Sequence, residues 1–220
     1  MCVRLPLFPL PVVLLPGMRM PLHIFEPRYK QMLQDCLDGD RSFGLIYRAD
    51  DAAEPALPSG AVGCRALIDD VERLPDGRSN VMVNGGERFA LVRVETAGTP
   101  YTVADVIPFL DESEPPAQVT ALALRLHELF AEAARASRTL ADDPGPPPPL
   151  PDDPAQVAFA AAASIDIEAR DRQRLLASSS PSARLREMIT LLDASMPALL
   201  ERALLHSRAK HNGHGPRTAA

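Results

Sequence analysis

Four prolines within residues 5–17, LPLFPLPVVLLPG, set the first constraint on this chain. Pro6, Pro9, Pro11 and Pro16 each fix φ and lack an N–H, so no helix can propagate through the run. That removes two readings of an apolar N-terminal stretch. A signal peptide needs a continuous apolar segment followed by small residues at a cleavage site, whereas Met18, Arg19 and Met20 come next. A transmembrane helix needs about 20 uninterrupted apolar residues, which the sequence nowhere supplies. The expectation is an extended opening over 5–11, a short buried strand over 12–15 and a turn at Pro16-Gly17. A cytoplasmic protein with no membrane partner follows from it.

Beyond the turn the first half reads as β-rich with one helix inserted. Residues 19–25 suit a strand. Pro27 is placed for the first position of a helix, and Tyr29, Met32, Leu33, Cys36 and Leu37 form one apolar face that ends at Gly39. Residues 42–47 form the next strand, followed by a loop over 48–60. Four further strands are expected between 61 and 110, with turns at Pro75-Asp76-Gly77, Gly85-Gly86 and Gly98-Thr99-Pro100. Strands this close together without helices between them point to an antiparallel, partly closed barrel.

After Pro115-Pro116 the pattern turns helical, over 117–140, 155–164 and 167–177, and from Ser180-Pro181 onward. Leu185, Ile189, Leu192, Met196, Leu199 and Ala203 mark the buried stripe of the last stretch, which Pro197 should break or kink just after Asp193. The acidic, proline-rich segment 141–154 cannot be helix or central strand and reads as a polyproline-II-like loop. The division expected is 1–112 β-rich, 113–209 helical bundle and 210–220 flexible tail.

Searching for catalytic chemistry returns mostly exclusions. The chain has two lysines, Lys30 and Lys210, and neither follows a glycine, so there is no phosphate-binding G-x-x-x-x-G-K-[ST] loop. Neither sits where an amine could be buried and deprotonated as a general base. There is no G-x-S-x-G and no H-E-x-x-H. Three widely spaced cysteines, Cys2, Cys36 and Cys64, make neither a disulfide framework nor a C-x-x-C metal site and suit a reducing compartment. His206, His211 and His214 have no cysteine or ordered carboxylate with them to complete a metal site. No cofactor or metal is expected. A net charge of −6, no tryptophan and 5% aromatics disfavour nucleic acid as a partner. The cluster Arg170, Arg172, Arg174, Arg184 and Arg186 is interspersed with acids, as on a salt-bridged helix face.

The opening residues resemble a known family. P-L-F-P-L at residues 6–10, the Pro16-Gly17 turn and P-L-x-I-F-E-P-R-Y at 21–29 resemble the start of the Lon protease N-terminal, or substrate-binding, domain. Phe43-Gly44, G-C-x-A-x-I at 63–68, G-R-S-N-V at 77–81, G-x-x-R-F at 85–89 and P-Y-x-x-A-x-V at 100–106 extend the match, which is closest to stand-alone bacterial forms. The resemblance implies an α+β fold: a β-rich, PUA-like pseudo-barrel with one inserted helix, followed by a C-terminal helical bundle. It also implies recognition of unfolded or degron-bearing polypeptide, as the domain performs in the full protease, where the ATPase and peptidase lie downstream of it. The segment 141–154 departs from the family pattern.

The leading expectation is therefore a non-enzymatic protein- or peptide-binding module, an adaptor in protein quality control, using an apolar groove between barrel and bundle. Phe8, Phe25, Arg28, Tyr29 and Arg88 are the candidate contact residues, because they belong to the matching motifs. The plainer alternative puts Phe25 and Tyr29 in the core and pairs Arg28 with Glu26. A nucleic-acid-binding PUA-like module is the alternative function, and a hydrolase a third, disfavoured by the missing motifs. Oligomeric state is left open.

Overall fold

The computed structural model describes residues 2–49, 57–95 and 98–212, and side chains as far as 210. Residues 50–56 of the expected loop and 213–220 of the expected tail, His214 among them, lie outside the described residues. The chain forms two compact units. One comprises residues 1–113 with 165–180, the other 114–164 with 181–220.

In the first unit, strands β1 (Val3–Leu10), β2 (Arg19–Ile24), β3 (Ser42–Tyr47), β4 (Val62–Arg73), β5 (Ser79–Glu95) and β6 (Val103–Pro108) form one sheet. Its order is β2-β5-β4-β3-β1-β6, and an additional β5–β6 pairing closes five of the strands into a ring. Closure abolishes most free strand edges. One pair departs from the expected antiparallel pattern, because β1 runs parallel to β3. The interior holds Leu5, Leu7, Ile46, Phe89, Leu91, Ala104 and Val106. Phe89 explains a motif glycine. A Cβ on Gly63 would lie 2.4 Å from the Phe89 ring, so the ring can only be housed over a bare backbone.

Three strands, not four, span 61–110. β5 runs 17 residues straight through Gly85-Gly86, where a turn was expected. Its two halves serve β2 and β6, while β4 pairs along much of its length. Gly85 is there because the backbone around Leu15 crosses it, and a Cβ would fall 1.9 Å from the Leu15 carbonyl oxygen. Gly17 donates to Gly85, and Gly85 to Met18, both at 2.8 Å. This strap also corrects the expected strand over 12–15. Val13, Leu14 and Leu15 are buried, but in irregular backbone, and the strand is the proline-rich opening itself. Prolines are tolerated there because β1 hands over from β6 to β3 part-way along its length.

Helix α1 (Pro27–Asp38) buries Tyr29, Met32, Leu33 and Cys36. Its exposed Asp35 accepts a 2.7 Å hydrogen bond from the Tyr101 hydroxyl, which ties the approach to β6 onto the helix. Burial, helped by that carboxylate, raises the Tyr101 pKa to about 12. Helix α4 (Ala169–Ala177) belongs to this unit as well, with Gln173 donating to the Val62 carbonyl at 3.0 Å.

The second unit packs α2 (Pro116–Ala141), α3 (Val157–Ser164) and α5 (Pro181–Asn212) together. Leu126, Leu129 and Phe130 of α2, Phe159 of α3, and Leu185, Met188 and Leu192 of α5 are buried. Glu114 accepts from the Ser182 N–H at 3.2 Å, serving one of the orphan donors at the start of α5. Pro197 does not break α5, which continues to Asn212. The proline withdraws one backbone donor, and the buried Met196 and Ala203 on either side hold the helix together. Residues 210–212, expected in the tail, are helical, and Lys210 and His206 both pair with Asp142. No helix among the described residues is long and apolar enough to cross a membrane.

Candidate functional site

β1 alternates its side chains so that Leu7 enters the barrel while Phe8 points to the other face. There Phe8 meets the first turn of α1. Its ring centroid lies 4.2 Å from that of Tyr29 and 5.9 Å from that of Phe43. Both Phe8 and Tyr29 are buried. The junction between β2 and α1 supplies the next layer. Met20, Leu22 and Ile24 face inward with a period of two, which leaves Phe25 facing out, 58% exposed. His23 lies alongside it with ring centroids 6.1 Å apart, and its Nδ1 is 2.8 Å from the Asn80 side-chain oxygen.

Glu26 occupies the N-cap of α1 but makes no capping hydrogen bond with its side chain. Instead its carboxylate accepts from Arg28 Nε at 2.9 Å. The Arg28 guanidinium also lies over the Tyr29 ring, 4.7 Å from the centroid, an arrangement that fixes the arginine beside the aromatic pair.

These residues surround a surface depression of about 330 Å³. Phe8, Phe25, Arg28 and Tyr29 are thus brought together. Pro9, Leu10 and Pro11 form one wall, and Arg48 reaches in from the residue after β3. Arg48 had no signal in the sequence beyond following a strand. Its place is set by its backbone N–H, which donates to the Leu10 carbonyl at 2.8 Å.

Arg88 lies apart from this depression. It is buried and donates to the carbonyls of Leu176 at 2.9 Å and Ser178 at 2.7 Å, and it pairs with the Asp111 carboxylate. Its guanidinium stacks 4.8 Å from the Phe109 ring centroid. It is a clamp that holds the 165–180 segment to the barrel.

Other candidates from the sequence are absorbed into structure. Burial raises the thiols of Cys36 and Cys64 to about 12, so neither is a nucleophile at neutral pH. Arg184 is fully buried, 4.5 Å over the Phe159 ring, and takes no part in a basic surface. Among the described residues no group of three His, Cys, Asp or Glu side chains could hold a metal ion.

Fold and site define an α+β protein: a β-rich pseudo-barrel with one inserted helix, followed by helices, and one aromatic-walled opening on the barrel unit. The model of the ATP-dependent protease La (LON) substrate-binding domain family matches residues 4–194. The chain belongs to that family. Among curated proteins it is 26% identical over 211 residues to a Lon protease of Solibacter usitatus, covering 94% of this chain and 26% of that protein. It is 29% identical over 203 residues to one of Xanthomonas oryzae pv. oryzae, covering 87% and 23%. The chain thus spans about a quarter of the length of these relatives. Among solved structures, a Lon N-terminal domain protein from Xanthomonas campestris aligns with a TM-score of 0.59 and 28% identity, covering 86% of this chain and 98% of that one. The N-terminal domain of Mycobacterium avium complex Lon protease aligns with a TM-score of 0.65 at 20% identity, covering 87% and 98%, a likeness of fold.

Proposed function

We propose that this chain is a non-enzymatic polypeptide-binding module, an adaptor in protein quality control, and that the depression beside Phe25 is where polypeptide docks. Unfolded or degron-bearing chains are its partners, and a Lon-type protease is the enzyme it serves. The observation that carries this reading is the solvent-facing Phe25 ring at the rim of a hollow walled by Phe8, Tyr29 and two prolines. Burying such a ring against a partner releases about 1.5–3 kcal/mol, and aromatic anchors beside a pocket are where binding energy concentrates. The family match agrees in kind, since it falls on a substrate-binding domain. Three free cysteines support a reducing, cytoplasmic setting.

Fluorescence anisotropy with labelled, reduced and carboxymethylated lactalbumin tests it. The chain should bind this unfolded probe in preference to native lactalbumin, and Phe25→Ala should weaken binding about fivefold or more. Equal affinity for native and unfolded forms would remove the proposal.

A further inference from the structure

Resting on that reading, we infer that the depression selects polypeptide segments in which a bulky apolar side chain is followed closely by a carboxylate, with Phe25 taking the first and Arg48 the second. Charge around the hollow is unbalanced. Arg28 and Glu26 neutralise each other at 2.9 Å. Among the described residues no carboxylate or hydrogen-bond acceptor meets the Arg48 guanidinium, although its backbone is fixed to Leu10. A half-buried guanidinium on an anchored backbone, with no anion against it among the described residues, is a ready partner for one, and arginine's planar fork suits a carboxylate in particular.

The proline wall restricts how a segment can dock. Pro9 and Pro11 have no N–H and the Leu10 carbonyl is taken by the Arg48 N–H, so this stretch of backbone cannot take up an added strand through a regular ladder. Recognition then falls to side chains. A volume of about 330 Å³ is near the lower end for ligand pockets and fits a short segment rather than a folded surface. The aromatic and the acid must therefore be near neighbours in the ligand.

Three fluorescein-labelled ten-residue Gly/Ser peptides, carrying Phe-Glu, Phe-Gln or Ala-Glu at their centre, are titrated against the full chain. Phe-Glu should bind about three- to fivefold more tightly than Phe-Gln, the scale of a solvent-accessible ion pair. That margin should shrink in high salt. Arg48→Gln should erase the margin at an unchanged melting temperature, and Arg48→Lys should keep part of it. Equal binding of Phe-Glu and Phe-Gln, or a margin that survives Arg48→Gln, overturns this inference but leaves the polypeptide-binding reading standing. If no Phe peptide outperforms Ala-Glu, both fall. A margin seen only after Asp50, Asp51 and Glu54 are changed to amides would mean that the chain's own acids hold Arg48, which also overturns it.

Discussion

Two places in the barrel unit use arginine beside aromatic rings, and they differ in every respect that matters for recognition. Around Arg88 each direction is filled: two carbonyls, a carboxylate and the Phe109 ring. Around Phe25 the aromatic faces solvent, Arg28 is tied to Glu26, and among the described residues no acceptor meets the Arg48 guanidinium. The sequence motifs contain Arg88 and Phe25 with equal prominence. Exposure and hydrogen-bond satisfaction separate them, and those are properties of the folded chain. A family-matching arginine is as readily a clamp as a contact.

The largest effect expected from breaking this contrast is on the clamp. Arg88→Ala would leave Asp111 and two carbonyls without their partner, at about 3 kcal/mol, a large share of a domain's stability. Chemical denaturation would show this as a lower midpoint. Probe binding should fall only as far as the folded fraction falls. Phe25→Ala should do the reverse, reducing affinity while shifting stability by no more than about 0.5 kcal/mol. A matching loss of stability would move Phe25 from the opening to the core.

Smaller still is Arg28→Gln. Its ion pair with Glu26 is about two-fifths exposed on both sides, so the stability change should stay within about 0.2–1 kcal/mol and diminish with salt. The gentlest probe is the thiol of Cys64, which pairs with Arg88 in the β4–β5 register. Its folded pKa is raised from 9.0 to about 12, chiefly by burial. The protonated thiol's contribution to stability is therefore complete below pH 9 and is lost as pH rises through 12. In the native chain near pH 8, iodoacetamide should label the exposed Cys2 and spare Cys36 and Cys64. Rapid labelling of Cys64 under native conditions would show that the clamped face opens.

Much of this was legible beforehand because local chemistry decided it. The prolines excluded helix from residues 5–17, the apolar stripe placed α1, and the Pro75-Asp76-Gly77 turn placed the hairpin between β4 and β5. The errors arose where a distant partner overrode a local cue. Gly85-Gly86 reads as a turn until the strap around Leu15 is known to cross it. Pro197 reads as a break until its neighbours are buried against another helix. For Phe25 the cue was present. The two-residue period of Met20, Leu22 and Ile24 assigns the ring to the outer face, against the alternative that packed it in the core. Arg48 carried no cue, because what matters about it is that, among the described residues, no acid meets its guanidinium.

The barrel unit is discontinuous in sequence, and its closing piece comes late. The carbonyls that satisfy Arg88 belong to residues 176 and 178, about 70 residues after β6 ends. At about 5–20 residues per second, a ribosome needs several seconds to deliver them. During that interval a nascent barrel holds an arginine and an aspartate without the carbonyls that complete their network. The helical unit waits too, since α2 and α3 pack against α5, which follows them in the chain. Neither unit can be finished before the other has begun, so a truncation at residue 113 would yield an incomplete barrel rather than a smaller stable protein.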